Sequence, residues 1–471
     1  MNKGSVIISA PWSGSGKTTI SMGIMAALRD AGLAVQPFKT GPDFIDPQYH
    51  RKITGRTSRN LDCWMMKPDG VLKTYARGCA GADICVVEGA MGLMDGIGKG
   101  GIRGSTAEVA KLLGIPVILV IDARGMAGSA AAVIKGFEDI DPDVKIDGVI
   151  FNRVGSERHA AMLKAAVKRH CGAKVIGAVP REDGLEIPSR HLGLTTDLDG
   201  ILTRKYIRKL KETIKKHIDM DALLKIASKA EKSMPPKASG NTEIKSEAGR
   251  PAAGPPASAL AVAMDEAFCF YYQDNLETLE SLGIEIVPFS PLKDGGLPEN
   301  ISGIYFGGGY PEMYARGLSL NDFVKRDVID AARRRLPIYA ECGGLMYLSE
   351  GITDMEGVFH PMAGLIPAKT KMLHRRKVLG YREVTVTGNT LFPKGSAARG
   401  HEFHYSELGP VGRGIRRVYK LKNAFGEEAV EGYAAGNLLA SYVHLHFLSN
   451  RKFAENFADK IKQVKIPFRR V

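Results

Sequence analysis

At 471 residues the chain is too long for a single ordinary core, and its length predicts two or three domains, two large ones by default. Basic residues outnumber acidic ones by 65 to 51, a formal net charge of +14 that suits nucleic acid, anionic lipid or an acidic small substrate. No apolar run reaches the ~20 residues that span a bilayer, and six scattered cysteines without a CxxC pair indicate neither a disulfide framework nor a zinc knuckle.

The opening Val6-Ile7-Ile8 runs into a glycine loop without a cationic leader, so a cytoplasmic protein with no membrane association is expected. Up to about residue 225, short β-rich runs alternate with helical stretches. The runs are Val6 to Ser9, Val35 to Phe38, Ile84 to Glu88, Val117 to Asp122, Gly148 to Asn152 and Val175 to Val179. Such alternation predicts a parallel sheet covered on both faces. From Ala227 to Ser258 the chain is Lys, Ser, Gly, Pro and Ala with scarcely a large apolar residue. That composition cannot bury enough surface to offset its ordering entropy, which predicts a linker.

A second α/β pattern begins at Leu260 to Met264 and continues through Ile284 to Pro288, Gly303 to Phe306 and Pro337 to Ala340. Beyond it, Tyr381 to Thr387 and the stretch reaching Ser441-Tyr442-Val443-His444 read as more strand-rich. The expected organisation is a nucleotide domain over 1–226, a linker over 227–258, a second α/β domain over 259–450 and a basic tail over 451–471. The lysine-rich run from Arg204 to Lys216 and the tail lack interleaved aromatic residues and any nucleic-acid motif, so both are read as solvated faces and nucleic acid is not an expected partner.

Two local patterns carry chemistry. In Ser13-Gly14-Ser15-Gly16-Lys17-Thr18-Thr19, small residues between a strand and a helix let backbone N–H groups converge on phosphate oxygens. Lys17 neutralises those oxygens and the Thr18 hydroxyl reaches for magnesium. Pro11 stands where a standard GxxxxGKT loop has its first glycine, so the loop's entry is altered. The segments after the second and third strands, Lys39 to Pro47 and Glu88 to Gly92, should face the same phosphates, because ligands gather at the carboxyl ends of parallel strands. Asp43, Asp46 and Glu88 are therefore candidate magnesium ligands, with a helix cap or turn as the alternative role for each.

The second pattern is Ala340-Glu341-Cys342-Gly343-Gly344, a short buried strand followed by glycines that permit a sharp turn into a helix. A cysteine at such an elbow projects from the sheet edge toward the positive end of the helix, which favours thiolate and predicts a reactive rather than buried Cys342. Its base should be a histidine distant in sequence, and His444, expected to end another strand of this domain, is the candidate.

These residues lie in phrases that cover nearly the whole chain: KTGPDFIDPQYH (39–50), TGRTSRNLD (54–62), VEGAMGLMDG (86–95), IPSRHLGL (187–194), FGGGYPE (306–312), AECGGLMYL (340–348) and GHEFHYS (400–406). In them the chain resembles the cobyrinic acid a,c-diamide synthase family, including its hydrogenobyrinate and nickel-sirohydrochlorin members. The resemblance implies a dethiobiotin-synthetase-like ATPase in front and a class I glutamine amidotransferase of the cobalamin type behind. It implies glutamine hydrolysis at Cys342 with His444 as base, backbone N–H groups of Gly308 and Gly309 as oxyanion hole, and Asn152 as a reader of adenine. ATP and L-glutamine are the implied co-substrates, Mg2+ the cofactor, and a tetrapyrrole-derived polycarboxylate the substrate.

Such a substrate suits the cationic surplus, so Lys39, Arg56, Arg59 and Arg190 are candidate contacts together with Asn60 and Asp62, although each arginine could equally form a surface ion pair. One departure stands out: His446, not Glu, occupies the second position after His444, leaving the orienting group open. Amidation of other corrinoid side chains, as in cobyric acid synthase, is the alternative enzyme. A P-loop regulatory ATPase with a rear binding module is the alternative from another class. A homodimer is one of the assembly states left open.

Overall fold

A computed structural model describes residues 4–470 except 99, 183, 186–199, 201 and 231–257. Arg190 and nearly all of the expected linker lie outside the described residues. The chain divides into two compact α/β units, whose described residues are those up to 230 and those from 258 onward. Among the described residues, no helix is long and apolar enough to cross a membrane.

The first unit is built on seven parallel strands: β1 (Ser5–Ser9), β2 (Val35–Thr40), β3 (Arg59–Leu61), β4 (Ile84–Glu88), β5 (Val117–Asp122), β6 (Ile146–Val154) and β7 (Lys174–Pro180). Their order is β3-β2-β4-β1-β5-β6-β7, so the connections leaving β1 and β4 diverge to opposite sides of the sheet. Loops after those strands consequently border the crevice where such sheets take ligands. Every residue of β1, β2, β4 and β5 is buried, as expected of strands covered on both faces. Only β3 was absent from the sequence reading, because three residues make no apolar run. Helix α1 (Lys17–Asp30) starts at the lysine of the glycine loop, and α2 (Asp46–Thr54) starts at Asp46-Pro47. The basic run is one amphipathic helix, Arg204–His217, which buries Leu210 and Ile214 and ties Lys211 and Lys215 to Asp30.

In the second unit, β8 (Ser258–Ala263), β9 (Phe268–Phe270), β10 (Ile284–Phe289), β11 (Ile301–Phe306), β12 (Gly308–Gly309) and β13 (Ile338–Glu341) come first. A ten-stranded sheet runs β10-β8-β11-β13 in parallel, then through Leu438–Ser441, Glu428–Ala435, Arg416–Asn423, Val378–Val386 and Ala397–His404 to His444–Leu445. Ser441 pairs with Glu341 in the middle of this sheet, while His444, three residues on, pairs with His401 at its last strand. Three residues cannot span that many strand spacings of roughly 4.8 Å each, so the sheet curls back toward β13. His444 therefore begins a short strand instead of ending one, after a break at Tyr442-Val443. The closing residues, expected as a basic tail, contain a helix at Lys452–Lys462 whose Phe453, Phe457 and Ile461 are buried in the core while its lysines face outward.

Candidate active sites

The glycine loop is braced by the end of β6. Gly14 and Gly16 have φ of +84° and +93°, and a Cβ on Gly16 would lie 2.2 Å from Asn152 Nδ2, so that position accepts only glycine. Asn152 Nδ2 donates to Ser15 O at 3.0 Å and its Oδ1 accepts from Arg153 N. Arg153 in turn donates to Gly14 O at 2.9 Å and to Asp122 Oδ2 at 2.7 Å. The Nδ2 end of the Asn152 amide thus holds the loop directly, while its Oδ1 fixes the backbone of Arg153. At the loop's entry, Pro11 O lies 2.3 Å from where a Cβ on Gly92 would be, which ties the altered Pro11 to the segment after β4. Lys17 is buried and donates to Met91 O at 2.5 Å. Its pKa is pushed down to about 8 by burial and by the like charge of Lys39. Thr18 and Thr19 stand half-buried in the first turn of α1.

Beside the loop lies a buried ion cluster. Register places Lys39 on β2 against Glu88 on β4, and Lys39 Nζ donates to Glu88 Oε1 at 2.9 Å, Asp46 Oδ2 at 2.6 Å and Gly89 O at 3.1 Å. Asp43 Oδ2 is 3.8 Å away. Thr18 Oγ1 donates to Glu88 Oε1 at 2.7 Å, and His50 Nε2 lies 2.8 Å from Glu88 Oε2. Burial would lower the Lys39 pKa, but Asp46, Glu88 and Asp43 outweigh it and raise it.

Asp43 also accepts from the backbone N–H groups of Ile45 and Asp46, which fixes the turn into α2. Sequence reasoning assembled these carboxylates but put Lys39 with the substrate contacts and missed His50, one helical turn after Asp46. Among the described residues, no three of His, Cys, Asp and Glu converge on a metal-sized space. The cation within this cluster is the ammonium of Lys39.

The remaining candidate contacts separate. Arg56 donates to Gln36 Oε1 and to the carbonyls of Gly78, Ala80 and Gly81, so its guanidinium staples a turn. Asn60 donates to Gly41 O and Asp43 O, both at 2.8 Å, and shapes the loop after β2. Asp62 caps the helix Cys63–Cys79 by accepting from Met65 N. Arg59 is half-buried on β3.

In the second unit Cys342 follows β13 with φ +49° and ψ −101°, the strained elbow expected from the sequence. A Cβ on Gly344 would lie 2.6 Å from Phe306 O, so the turn can close against β11 only with glycine there. A Cβ on Gly308 would stand 2.3 Å from His444 Cε1, 3.0 Å from His444 Nε2 and 3.4 Å from Cys342 Cβ, so the histidine and the cysteine both border the space beside Gly308, which admits no side chain. The expectation of an exposed thiol is corrected: Cys342 is 6% exposed. Burial, followed by the charge of Glu312, raises its pKa and outweighs the Gly343 N–H at the helix start. In this state it is a thiol that needs a base.

His444 is that neighbour. Burial, then the proximity of His401 and His404, pushes its pKa down to about 3, leaving a neutral imidazole able to accept a proton. Two further histidines of this unit are engaged elsewhere. His404 stacks on Tyr442 at 3.9 Å and has Glu402 Oε1 and Ser406 O at its two nitrogens, while His446 Nδ1 accepts from Leu448 N. Sequence reasoning left the orienting group open; the structure puts Glu341 Oε2 3.8 Å from His444 Nδ1. The available signal was strand alternation, which sets Glu341 and Tyr339 on one face of β13.

Two family models match the chain: the CobQ/CobB/MinD/ParA nucleotide binding domain over residues 6–194, and the CobB/CobQ-like glutamine amidotransferase domain over residues 259–452. A protein named cobyrinate a,c-diamide synthase from Methanosarcina barkeri (strain Fusaro / DSM 804) is 42% identical, over 98% of this chain and 96% of its own length. The chain belongs to the cobyrinate a,c-diamide synthase family. Relatives of the same name from Priestia megaterium and Syntrophotalea carbinolica (strain DSM 2380 / NBRC 103641 / GraBd1) are 41% and 43% identical, over 99% and 96% of this chain and 98% of each of theirs. The glycine loop and ion cluster fall in the family's nucleotide-binding part, and Cys342 and His444 in its amidotransferase part.

Proposed function

We propose that this chain converts the a and c acetate carboxylates of cobyrinate to primary amides, with ATP as activator and glutamine as nitrogen source. The observation that carries this reading is the presence in one chain of a braced phosphate loop and of a Cys342-Gly308-His444 apposition, in a family whose full-length relatives bear that name.

A carboxylate is a poor electrophile, so one of its oxygens attacks the γ-phosphorus of ATP, releasing ADP and leaving an acyl phosphate. Ammonia then adds to the acyl carbon, phosphate departs with the C–O bond electrons, and the amide remains. In the first unit, N–H groups of the Gly14 to Thr19 loop and the Lys17 ammonium hold the phosphates, and Asn152 and Arg153 keep that loop in shape. Thr18, Asp46 and Glu88, with Asp43 beside them, are the oxygen donors we assign to Mg2+, although Lys39 Nζ sits on Asp46 Oδ2 and Glu88 Oε1 in this state and would have to yield them to the ion. Bound there, Mg2+ would neutralise charge on the phosphates. Arg59 and Arg190 remain the proposed contacts for the ring's carboxylates.

In the second unit His444 takes the proton of Cys342, the thiolate attacks the carboxamide carbon of glutamine, and N–H groups of Gly308 and Gly309 receive the developing oxyanion. His444 returns the proton to the departing nitrogen as ammonia leaves. Water then hydrolyses the thioester to glutamate and the free thiol. ATP and glutamine are both cytoplasmic metabolites, which is where the reaction is placed.

The test is mass spectrometry of products from cobyrinate, hydrogenobyrinate and nickel-sirohydrochlorin, each with ATP, magnesium and glutamine. Two carboxyl-to-amide changes at the a and c positions of cobyrinate are expected. Amides at other side chains would assign the cobyric acid synthase reaction instead. ATP turnover indifferent to ring and glutamine would assign a regulatory ATPase.

A further inference from the structure

We infer that Glu341 is the positioning residue of the glutamine site, its carboxylate facing the Nδ1 edge of the His444 imidazole at 3.8 Å, beyond hydrogen-bond distance in this state, and balancing the charge His444 acquires from Cys342. The inference rests on the glutaminase reading above and deepens it.

Chain geometry separates the two edges of the His444 ring. Its Cε1–Nε2 edge borders the space beside Gly308 that Cys342 also borders, whereas Nδ1 faces Glu341 Oε2 at 3.8 Å. A cysteine–histidine pair hydrolysing an amide needs an imidazole held in one orientation and an anion to stabilise the imidazolium, the part a third group plays in triads. The position two residues after His444 holds His446, whose ring lies against Tyr272 and which carries no negative charge. Glu341 reaches the histidine from a different direction, from the strand that ends in the nucleophile itself.

The carboxylate is held with little freedom. Tyr305 donates to its Oε2 at 2.8 Å, while Tyr339 and Leu445 N donate to Oε1 at 2.7 and 2.9 Å. The Leu445 N–H belongs to the residue after His444, so the same side chain fixes the backbone that carries the base. The groups facing it are Tyr305 on β11, Tyr339 on β13, Tyr271 after β9, Tyr419 from the strand Arg416–Asn423, Cys342 and His444. Burial raises all four tyrosines well above their ordinary pKa, so across the working range they are neutral donors. Burial also pushes Glu341 up to about 7 against the opposing hydrogen bonds. Above that pH the carboxylate is charged and supports the imidazolium; below it the support is lost.

The experiment compares kcat and KM for glutamine in Glu341→Gln across pH, with ammonia-dependent amidation as control. The expected result is a fall in glutamine-dependent kcat on the order of 100-fold with KM nearly unchanged, and no change in the ammonia-dependent rate. The native chain should lose glutaminase rate as pH drops through about 7, and the variant should lack that limb. A merely structural defect would scale the whole profile without removing the limb.

Tyr305→Phe provides a second reading that keeps the carboxylate. Removing a donor to Oε2 raises the Glu341 pKa, so the acid limb should move to higher pH. A native rate and limb in Glu341→Gln, or an unmoved limb in Tyr305→Phe, overturns the inference. The wider reading fails separately, if Cys342→Ala retains glutamine-dependent amidation.

Discussion

Lys39 and Glu88 stand side by side in register on β2 and β4, their charged ends 2.9 Å apart and both side chains buried. The pair locks the two loops that border the phosphate site, and Asp46 adds the start of α2 to the same ammonium. Removing the cation would leave two buried carboxylates without their partner. We expect Lys39→Met to destabilise the first unit by about 3–5 kcal/mol, read by denaturant unfolding of the whole chain. An unchanged unfolding curve would mean that the carboxylates find another partner and that Lys39 does not hold the site together.

Lys17 should show a pH signature. With its pKa near 8 before ATP binds, the side chain loses its charge as pH rises through that value, and the phosphates pull the proton back on. ATP affinity should therefore weaken above about pH 8, with proton uptake on binding, visible as a buffer-dependent calorimetric enthalpy. Lys17→Ala should abolish amidation from glutamine and from ammonia alike while leaving Cys342 open to a glutamine-like alkylator. Ammonia-dependent synthesis surviving in that variant would remove Lys17 from the working nucleotide site.

The second unit predicts the opposite split. Cys342→Ser should lose glutamine-dependent amidation and keep the ammonia-dependent rate, because the cysteine serves ammonia release alone. His444→Ala should behave in the same way. Equal loss with both nitrogen donors would refute the division of labour, and normal glutaminase activity in His444→Ala would redirect the search for the base to His404 or His446.

Arg56 offers a test of structure against substrate binding. Its guanidinium spans three carbonyls and Gln36, a fork that the single ammonium of lysine cannot reproduce. Arg56→Lys should lower stability by about 1–3 kcal/mol with the KM for the ring unchanged. A raised KM with an unaltered melting temperature would return Arg56 to the substrate contacts.

What the sequence determined by itself was local. The strand-glycine-helix order around Lys17 and the strand-Cys342-glycine turn are contiguous, and steric limits on backbone angles leave such segments few conformations. The alternation of apolar runs specified the parallel sheet of the first unit for the same reason: side-chain period and burial are written residue by residue. Tertiary structure decided how distant segments meet. Nothing in Lys39 to Pro47 says that its lysine will sit among Asp46 and Glu88, because that depends on the register of β2 against β4. The burial of Cys342 and the approach of Glu341 to His444 depend on a sheet that curls until its last strand returns to β13. Contacts across about a hundred residues are set by packing and strand order, which no short stretch of sequence encodes.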